Sequence, residues 1–351
     1  MEIESTELSF LSIFALISFF IFLFTEKILK KSILFLDNDF QKPQSFHKIP
    51  TPRIGGLAGV FSFFIFLIIY KLLFDKILYN YLFFGIGLFS LGFLDDIKIK
   101  ITPNIRLAIM ILIISSLILL FSISLKQVDF KFLEYLLSFN IFSTLFILIC
   151  FLFIINGSNL IDGFNGLLAI HLIIINSILL FINLDFKYNE FSFLIAGQLI
   201  ILLTFLIFNF PKAKIFLGDS GAYLFGSLTV LNVIYTHNQI KEITAFLPCI
   251  LLFYLFFEVF FSFFRKIYLK KSPLKPDNNH LHMLSYRFIK KTNKFADCNY
   301  LNSLIINTIY LLLIIPGIYF RFNGTVCLIW FFTLLAIYVV IYLRLYSLTE
   351  K

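Results

Sequence analysis

Charge is scarce in this chain of 351 residues: 14% are Asp, Glu, Lys or Arg, against 60% apolar residues and a mean hydropathy of +0.95. Too little polar surface remains to cover such a chain in water, which excludes a soluble globular protein and leaves an integral membrane protein. Cysteine is sparse too. Of the four, Cys150, Cys249 and Cys327 fall in apolar stretches and Cys298 in a Lys-rich segment, which excludes a disulfide framework and implies no redox role. The amino terminus lacks a basic leader. Glu2, Glu4 and Glu7 precede and enter the first apolar run, so that run is expected to remain as an anchor rather than be cleaved as a signal peptide. No repeat or low-complexity tract divides the chain, and residues 1–351 read as one helical domain.

What the chain has in abundance is apolar runs of spanning length, near 8–24, 56–74, 77–94, 105–125, 141–156, 167–183, 191–210, 219–236, 243–264, 302–320 and 325–347. The expected fold is an all-α polytopic bundle of about eleven transmembrane helices. Its fifty Phe residues enrich the lipid-facing spans and mark no site. Most of the 29 basic residues lie in segments that follow odd-numbered helices, so those segments are expected in the cytoplasm, with the amino terminus outside and the carboxyl terminus inside. The polar clusters fall in the same segments, 26–53, 95–106, 156–166, 211–219 and 265–300, whereas the opposite loops are short and plain.

Each cluster has a structural and a chemical reading. Asp95 and Asp96 end the run that starts near Ile77, and adjacent helical residues point about 100° apart, so the pair is either a solvated helix end or two carboxylates with separate tasks. In His47-Lys48-Ile49-Pro50-Thr51-Pro52-Arg53-Ile54-Gly55-Gly56, two prolines forbid a helix and the glycines permit close packing; Lys48 and Arg53 belong either to a basic membrane-edge turn or to a rigid anion site. Asn156, Asn159 and Asp162 recur at intervals of three, on one face if the helix persists, while Asn-Gly and Asp-Gly are also ordinary turn pairs. Asp219, between Gly218 and Ser220, either caps the next helix or ligates a metal. The last cluster joins Arg265 and several lysines to Asp277, His280 and His282. Two His without a further ligand at suitable spacing make a weak zinc site and a better phosphate site. From Leu281 to Lys291 the pattern predicts a helix in the membrane surface. Glu258, two turns before Arg265, is a pairing candidate for it, and both Glu258 and His171 read as satisfied core groups.

Carboxylates, amides and basic groups without thiols describe a site for Mg²⁺ and phosphates at the bilayer rim. These motifs together resemble the polyprenyl-phosphate N-acetylhexosamine-1-phosphate transferases, WecA-type enzymes related to the MraY translocases (glycosyltransferase family 4), and the likeness covers nearly the whole chain. The resemblance implies Mg²⁺-dependent transfer of a sugar 1-phosphate from a UDP-N-acetylhexosamine, with UDP-GlcNAc or a derivative preferred, to undecaprenyl phosphate, releasing UMP and initiating cell-envelope polysaccharide synthesis. It implies that Asp219, Asp95 and Asp96 serve the metal (Mn²⁺ being a substitute) and the attacking phosphate, that Asn159 and Asp162 help hold the nucleotide, and that Arg265, His280 and His282 contact phosphates or sugar. Asn156, Lys48 and Arg53 complete the expected substrate-binding set. The implied setting is the bacterial inner membrane, with membrane lipid as a partner, no nucleic acid, and room for a homodimer. Several relatives carry a further His where this chain has Met283. Alternative readings are a UDP-MurNAc-pentapeptide donor and, in a different class, a secondary transporter, which the acids at helix ends rather than at the midplane argue against.

Overall fold

The computed structural model describes residues 2–37, 50–99, 101–273, 277–292, 295 and 297–349. Among these, thirteen helices follow one another: α1 (Glu2–Leu29), α2 (Gly55–Phe74), α3 (Tyr79–Asp96), α4 (Pro103–Leu120), α5 (Lys131–Leu137), α6 (Asn140–Ile161), α7 (Leu167–Asp185), α8 (Asn189–Asn209), α9 (Gly218–Gln239), α10 (Phe246–Tyr268), α11 (Leu281–Lys291), α12 (Cys298–Tyr319) and α13 (Gly324–Thr349). The eleven long ones match the apolar runs, and the protein is an all-α, multi-pass membrane protein. The seven-residue α5 had no counterpart in the sequence reading, being too short to leave a periodic signal.

Nine of the eleven long helices are apolar enough to cross a membrane on composition alone; α3 and α9 are the two that are not. Packing explains why they are tolerated. α9 is buried along almost its whole length between α2, α3, α6 and α7, and its own polar side chains meet partners there. Asn232 donates to Asn176 Oδ1 and Gln198 Oε1, both at 2.8 Å, and accepts from the Tyr81 hydroxyl at 2.9 Å. Asn176 and Asn183, two turns apart on α7, donate to Thr229 and Thr236 at 2.9 and 2.8 Å. Such bonds between membrane helices contribute about 0.6–2 kcal/mol each, and they fix the rotation of α9, hence the aim of its first turn.

Against expectation, α11 does not lie free on the membrane surface. Met283, Leu284 and Ile289 are buried as it packs on α12 and α13, and its Arg287 side chain turns back to Asn278 O and Asn279 Oδ1. His171 stays in the core as expected, its Nδ1 3.2 Å from Asn307 Oδ1.

Candidate active site

The site begins with two short strands, β1 (Leu36–Asp37) and β2 (Thr51–Pro52), paired antiparallel. Because proline breaks helix, residues 51–53 run extended and dock on the turn before α9: Phe216 N donates to Pro52 O at 2.9 Å, Gly55 N to Phe216 O at 2.9 Å and Gly56 N to Leu217 O at 2.8 Å. The glycines are required by closeness. A Cβ at Gly56 would overlap the Ser220 hydroxyl and the Gly221 backbone. This docking delivers Arg53, which donates to Asp37 Oδ2 from Nε (3.0 Å) and Nη2 (2.7 Å) and brings Nη1 to 3.5 Å from Asp219 Oδ1. Burial opposes its charge, but Asp219, Asp37 and Asp96 outweigh it and hold the guanidinium above its ordinary range. Lys48 lies outside the described residues.

Asp95 and Asp96 have separate tasks, as their angular separation requires. Asp96 is 1% exposed and turns into the bundle, where its carboxylate accepts from the backbone N–H groups of Asp219 and Ser220, both at 3.0 Å, and from the Ser220 hydroxyl at 2.5 Å. It caps α9 from outside its own helix, using both oxygens. The geometry leaves little room for the metal-ligand role expected from the sequence. Gly218, at φ +78°, starts that turn, and a Cβ there would come within 2.6 Å of the Asp96 oxygens. Gly92 one turn back permits the approach of α3 to Asp219.

Asp95 faces the other way and meets a residue the sequence reading passed over, one that lines a cavity of about 790 Å³. Arg106, in the first turns of α4 behind the Thr102-Pro103 cap, sets its Nη1 2.7 Å from Asp95 Oδ2 and 3.4 Å from Asp219 Oδ2. The two carboxylates are thus no farther apart than these two contacts laid end to end. Asn156, Asn159, Asp162, Arg53, Asp219 and His280 line the same cavity. Asn156 donates to Leu152 O at 2.7 Å. Asp162 ends α6, and burial first, then the Asp219 charge, push its carboxyl well above the usual carboxylate range. One wall is apolar: Leu107 and Met110 of α4, Leu152 and Phe153 of α6, and Val259 and Phe263 of α10.

The His pair closes the far wall. Glu258 does not pair with Arg265; it accepts from the Leu281 N–H at 2.9 Å and the Tyr338 hydroxyl at 2.5 Å, and lies 3.1 Å from His280 Nδ1. His280 Nε2 is 3.3 Å from Asp277 Oδ1, so the ring stands between two carboxylates. Burial would raise Asp277, but His280 and Arg265 outweigh it and hold its carboxyl below the usual range. His282 is fully buried behind His280, ring stacked at 5.6 Å, and burial lowers its imidazole to about 4. Arg265 does not line the cavity: it donates to Asp277 Oδ2 at 2.7 Å, to the Tyr342 hydroxyl at 2.6 Å and to Asn279 O, and so ties down the loop that carries His280. Met283 is buried and cannot extend the His row into the cavity.

Among the described residues no group of three His, Cys, Asp or Glu closes on a metal unaided. Mg²⁺ needs no such group, since one or two carboxylates and substrate phosphates usually hold it. The donor set fits. Asp219 keeps both oxygens only loosely engaged, at 3.4 and 3.5 Å from its arginines, and shares the cavity with the carboxyl of Asp162 and the amides of Asn156 and Asn159.

A family model described as "Glycosyl transferase family 4" matches residues 78–237, which include Asp95, Asp96, Arg106, Asn156, Asn159, Asp162 and Asp219. The chain is 31% identical over 282 residues (79% of this chain and 81% of the relative) to an undecaprenyl-phosphate alpha-N-acetylglucosaminyl 1-phosphate transferase of Thermotoga maritima. It is 28% identical over 264 residues, 71% of this chain and 80% of the relative, to a phospho-N-acetylmuramoyl-pentapeptide-transferase of Dictyoglomus turgidum. A probable undecaprenyl-phosphate N-acetylglucosaminyl 1-phosphate transferase of Bacillus subtilis is 32% identical over 134 residues, 37% of this chain and 36% of that relative. With a relative of that identity matched over most of both chains, and the acidic, amide and His clusters gathered at one end of the bundle, this protein is a transferase and belongs to glycosyl transferase family 4.

Proposed function

We propose that this enzyme transfers an N-acetylhexosamine 1-phosphate from a UDP-sugar to undecaprenyl phosphate on the cytoplasmic side of a bacterial membrane, with UDP-GlcNAc or a close derivative as donor. The carrying observation is one cavity in which Asp219, Arg53 and Arg106 meet an apolar wall from α4, α6 and α10: a diphosphate and a lipid phosphate need the first, and the first isoprene units need the second. The buried Met283 in place of a further His favours the simpler donor over a muramoyl-pentapeptide.

In the reaction an oxygen of the lipid phosphate attacks the sugar-bearing phosphorus of the donor. The bond to the uridine-bearing phosphate breaks, and UMP leaves with the bond electrons. The attacking monoester has a second pKa near 6 and is largely dianionic in the cytoplasm, so no general base is needed. The difficulty is repulsion between two anions. Arg53, anchored by Asp37, opposes it with preorganised charge and Arg106 adds a second guanidinium, while His280, between Glu258 and Asp277, closes the far wall. Mg²⁺, held by Asp219 with Asp95 or Asp162 as a second ligand, would supply neutralising charge for the diphosphate. Asp96 contributes by holding the first turn of α9, and with it Asp219.

Purified protein incubated with undecaprenyl phosphate, Mg²⁺ and a panel of UDP-sugars should release UMP and give a lipid product whose mass equals undecaprenyl diphosphate plus one N-acetylhexosamine residue (the free sugar less one water). Release of UMP only with the muramoyl-pentapeptide donor would replace the donor assignment. No product with any donor, together with solute uptake into vesicles, would replace the reaction.

A further inference from the structure

Of the two arginines on Asp219, one is fixed and the other is not. Arg53 is held from behind by two hydrogen bonds to Asp37 and by its strand, which is docked on the turn before α9. Arg106 has a single firm contact, Nη1 to Asp95 Oδ2 at 2.7 Å. Its hold on Asp219 Oδ2 is at 3.4 Å, the far edge of a hydrogen bond, and among the described residues its Nε and Nη2 donate to no one. Arg106 lines the cavity. A guanidinium with an unused planar face is suited to a phosphate, which it can grip with two parallel bonds.

The oxygen that Arg106 holds belongs to the carboxylate on which the proposed cation depends. A monovalent cation on Asp219 and a divalent one compete, because each is attracted by the same charge and repelled by the other at short range. A diphosphate changes the balance, since it offers Arg106 a second anion while Asp95 keeps hold of Nη1.

We propose that Arg106 is a movable counter-ion: it neutralises Asp219 until a divalent cation arrives, then yields that carboxylate and turns its free donors to the diphosphate of the donor substrate. This rests on the metal-dependent reading given above. Arg106 is therefore a substrate-binding residue that also sets the order of assembly: cation binding by the protein alone is opposed, and cation binding together with a nucleoside diphosphate is favoured. By linkage, whatever factor UDP adds to cation affinity, the cation adds to UDP affinity.

The test is Mn²⁺ binding to the full-length protein in detergent, followed by the loss of the free-ion EPR signal, with and without UDP and without lipid acceptor. Arg106→Ala should bind Mn²⁺ alone at least about fivefold more tightly than wild type, and the tightening that UDP gives wild type should fall by a similar factor. Arg106→Gln, similar in length but uncharged, should behave as Arg106→Ala does and serves if the alanine variant fails to elute as a single species. If both variants bind Mn²⁺ no tighter than wild type, Arg106 is a static bridge and the inference is overturned. Asp219→Asn separates the two layers: if Mn²⁺ binding survives it unchanged, the metal assignment itself fails, whereas loss in Asp219→Asn without gain in Arg106→Ala overturns only the counter-ion role.

Discussion

Asp96→Asn distinguishes a helix cap from a metal ligand. Three hydrogen bonds from the start of α9 end on this one buried carboxylate: two backbone N–H groups at 3.0 Å and the Ser220 hydroxyl at 2.5 Å. An asparagine keeps one acceptor oxygen and turns an NH₂ donor toward groups that are themselves donors. Losing the cap costs about 0.5–2 kcal/mol. Stranding a buried N–H adds about 1–3 kcal/mol, and since the two effects overlap, the expected loss is about 2–4 kcal/mol. Ser220→Ala removes a single bond and should cost about 1 kcal/mol; combined with Asp96→Asn it should add less than that, because the bond is shared. Denaturant unfolding in detergent micelles measures these differences. Mn²⁺ affinity in the folded fraction should fall only as far as Asp219 is displaced. If Asp96→Asn is as stable as wild type and its defect is confined to cation affinity, Asp96 is a ligand and the capping account is wrong.

Glu258→Gln should weaken the hold on His280 by about 1.5 kcal/mol. That corresponds to a roughly 10-fold fall in kcat/KM for the UDP-sugar, with the KM for lipid unchanged; an equal effect on both substrates would mean that Glu258 acts only on the fold. Gly56→Ala places a methyl group against Ser220 and Gly221 and should cost about 1–3 kcal/mol while raising the donor KM as Arg53 moves off Asp219; wild-type stability and KM would show that the strand docks otherwise. Direct attack by the lipid phosphate predicts no covalently modified protein when the enzyme is mixed with UDP-sugar without acceptor. Mass spectrometric capture of Asp95 carrying the sugar 1-phosphate, with UMP released, would establish a covalent route in its place.

The chain announces its spans more openly than its site. Eleven long helices follow from apolar runs, and even α3 and α9, too polar to be assigned alone, were legible because their polar residues are diluted among Leu, Phe and Val. The gathering of Asp95, Asp96, Arg53, Asp162, Asp219 and His280 at one end followed from which loops carried deliberate polar residues. Arg106 was hidden because a lone basic residue before a span looks like any topology signal, and only the packing of α4 against α3 and α6 aims it at Asp95. Asp37 was hidden by distance: it meets Arg53 only once β1 pairs with β2. Spacing along α10 favoured Arg265 as the partner of Glu258, but the loop before α11 folds back and brings His280 nearer. The Asn176, Asn183, Thr229 and Thr236 ladder did carry a signal, a seven-residue repeat on both helices, which matters only when the two faces are known to meet.

The central claim is that one cation joins Asp219 to the diphosphate of the donor. Pulsed EPR of Mn²⁺ bound to the purified protein with UDP measures this through the hyperfine coupling between the metal and phosphorus. The coupling should be present in wild type, persist in the folded fraction of Asp96→Asn and vanish in Asp219→Asn; undiminished coupling in Asp219→Asn would contradict the account.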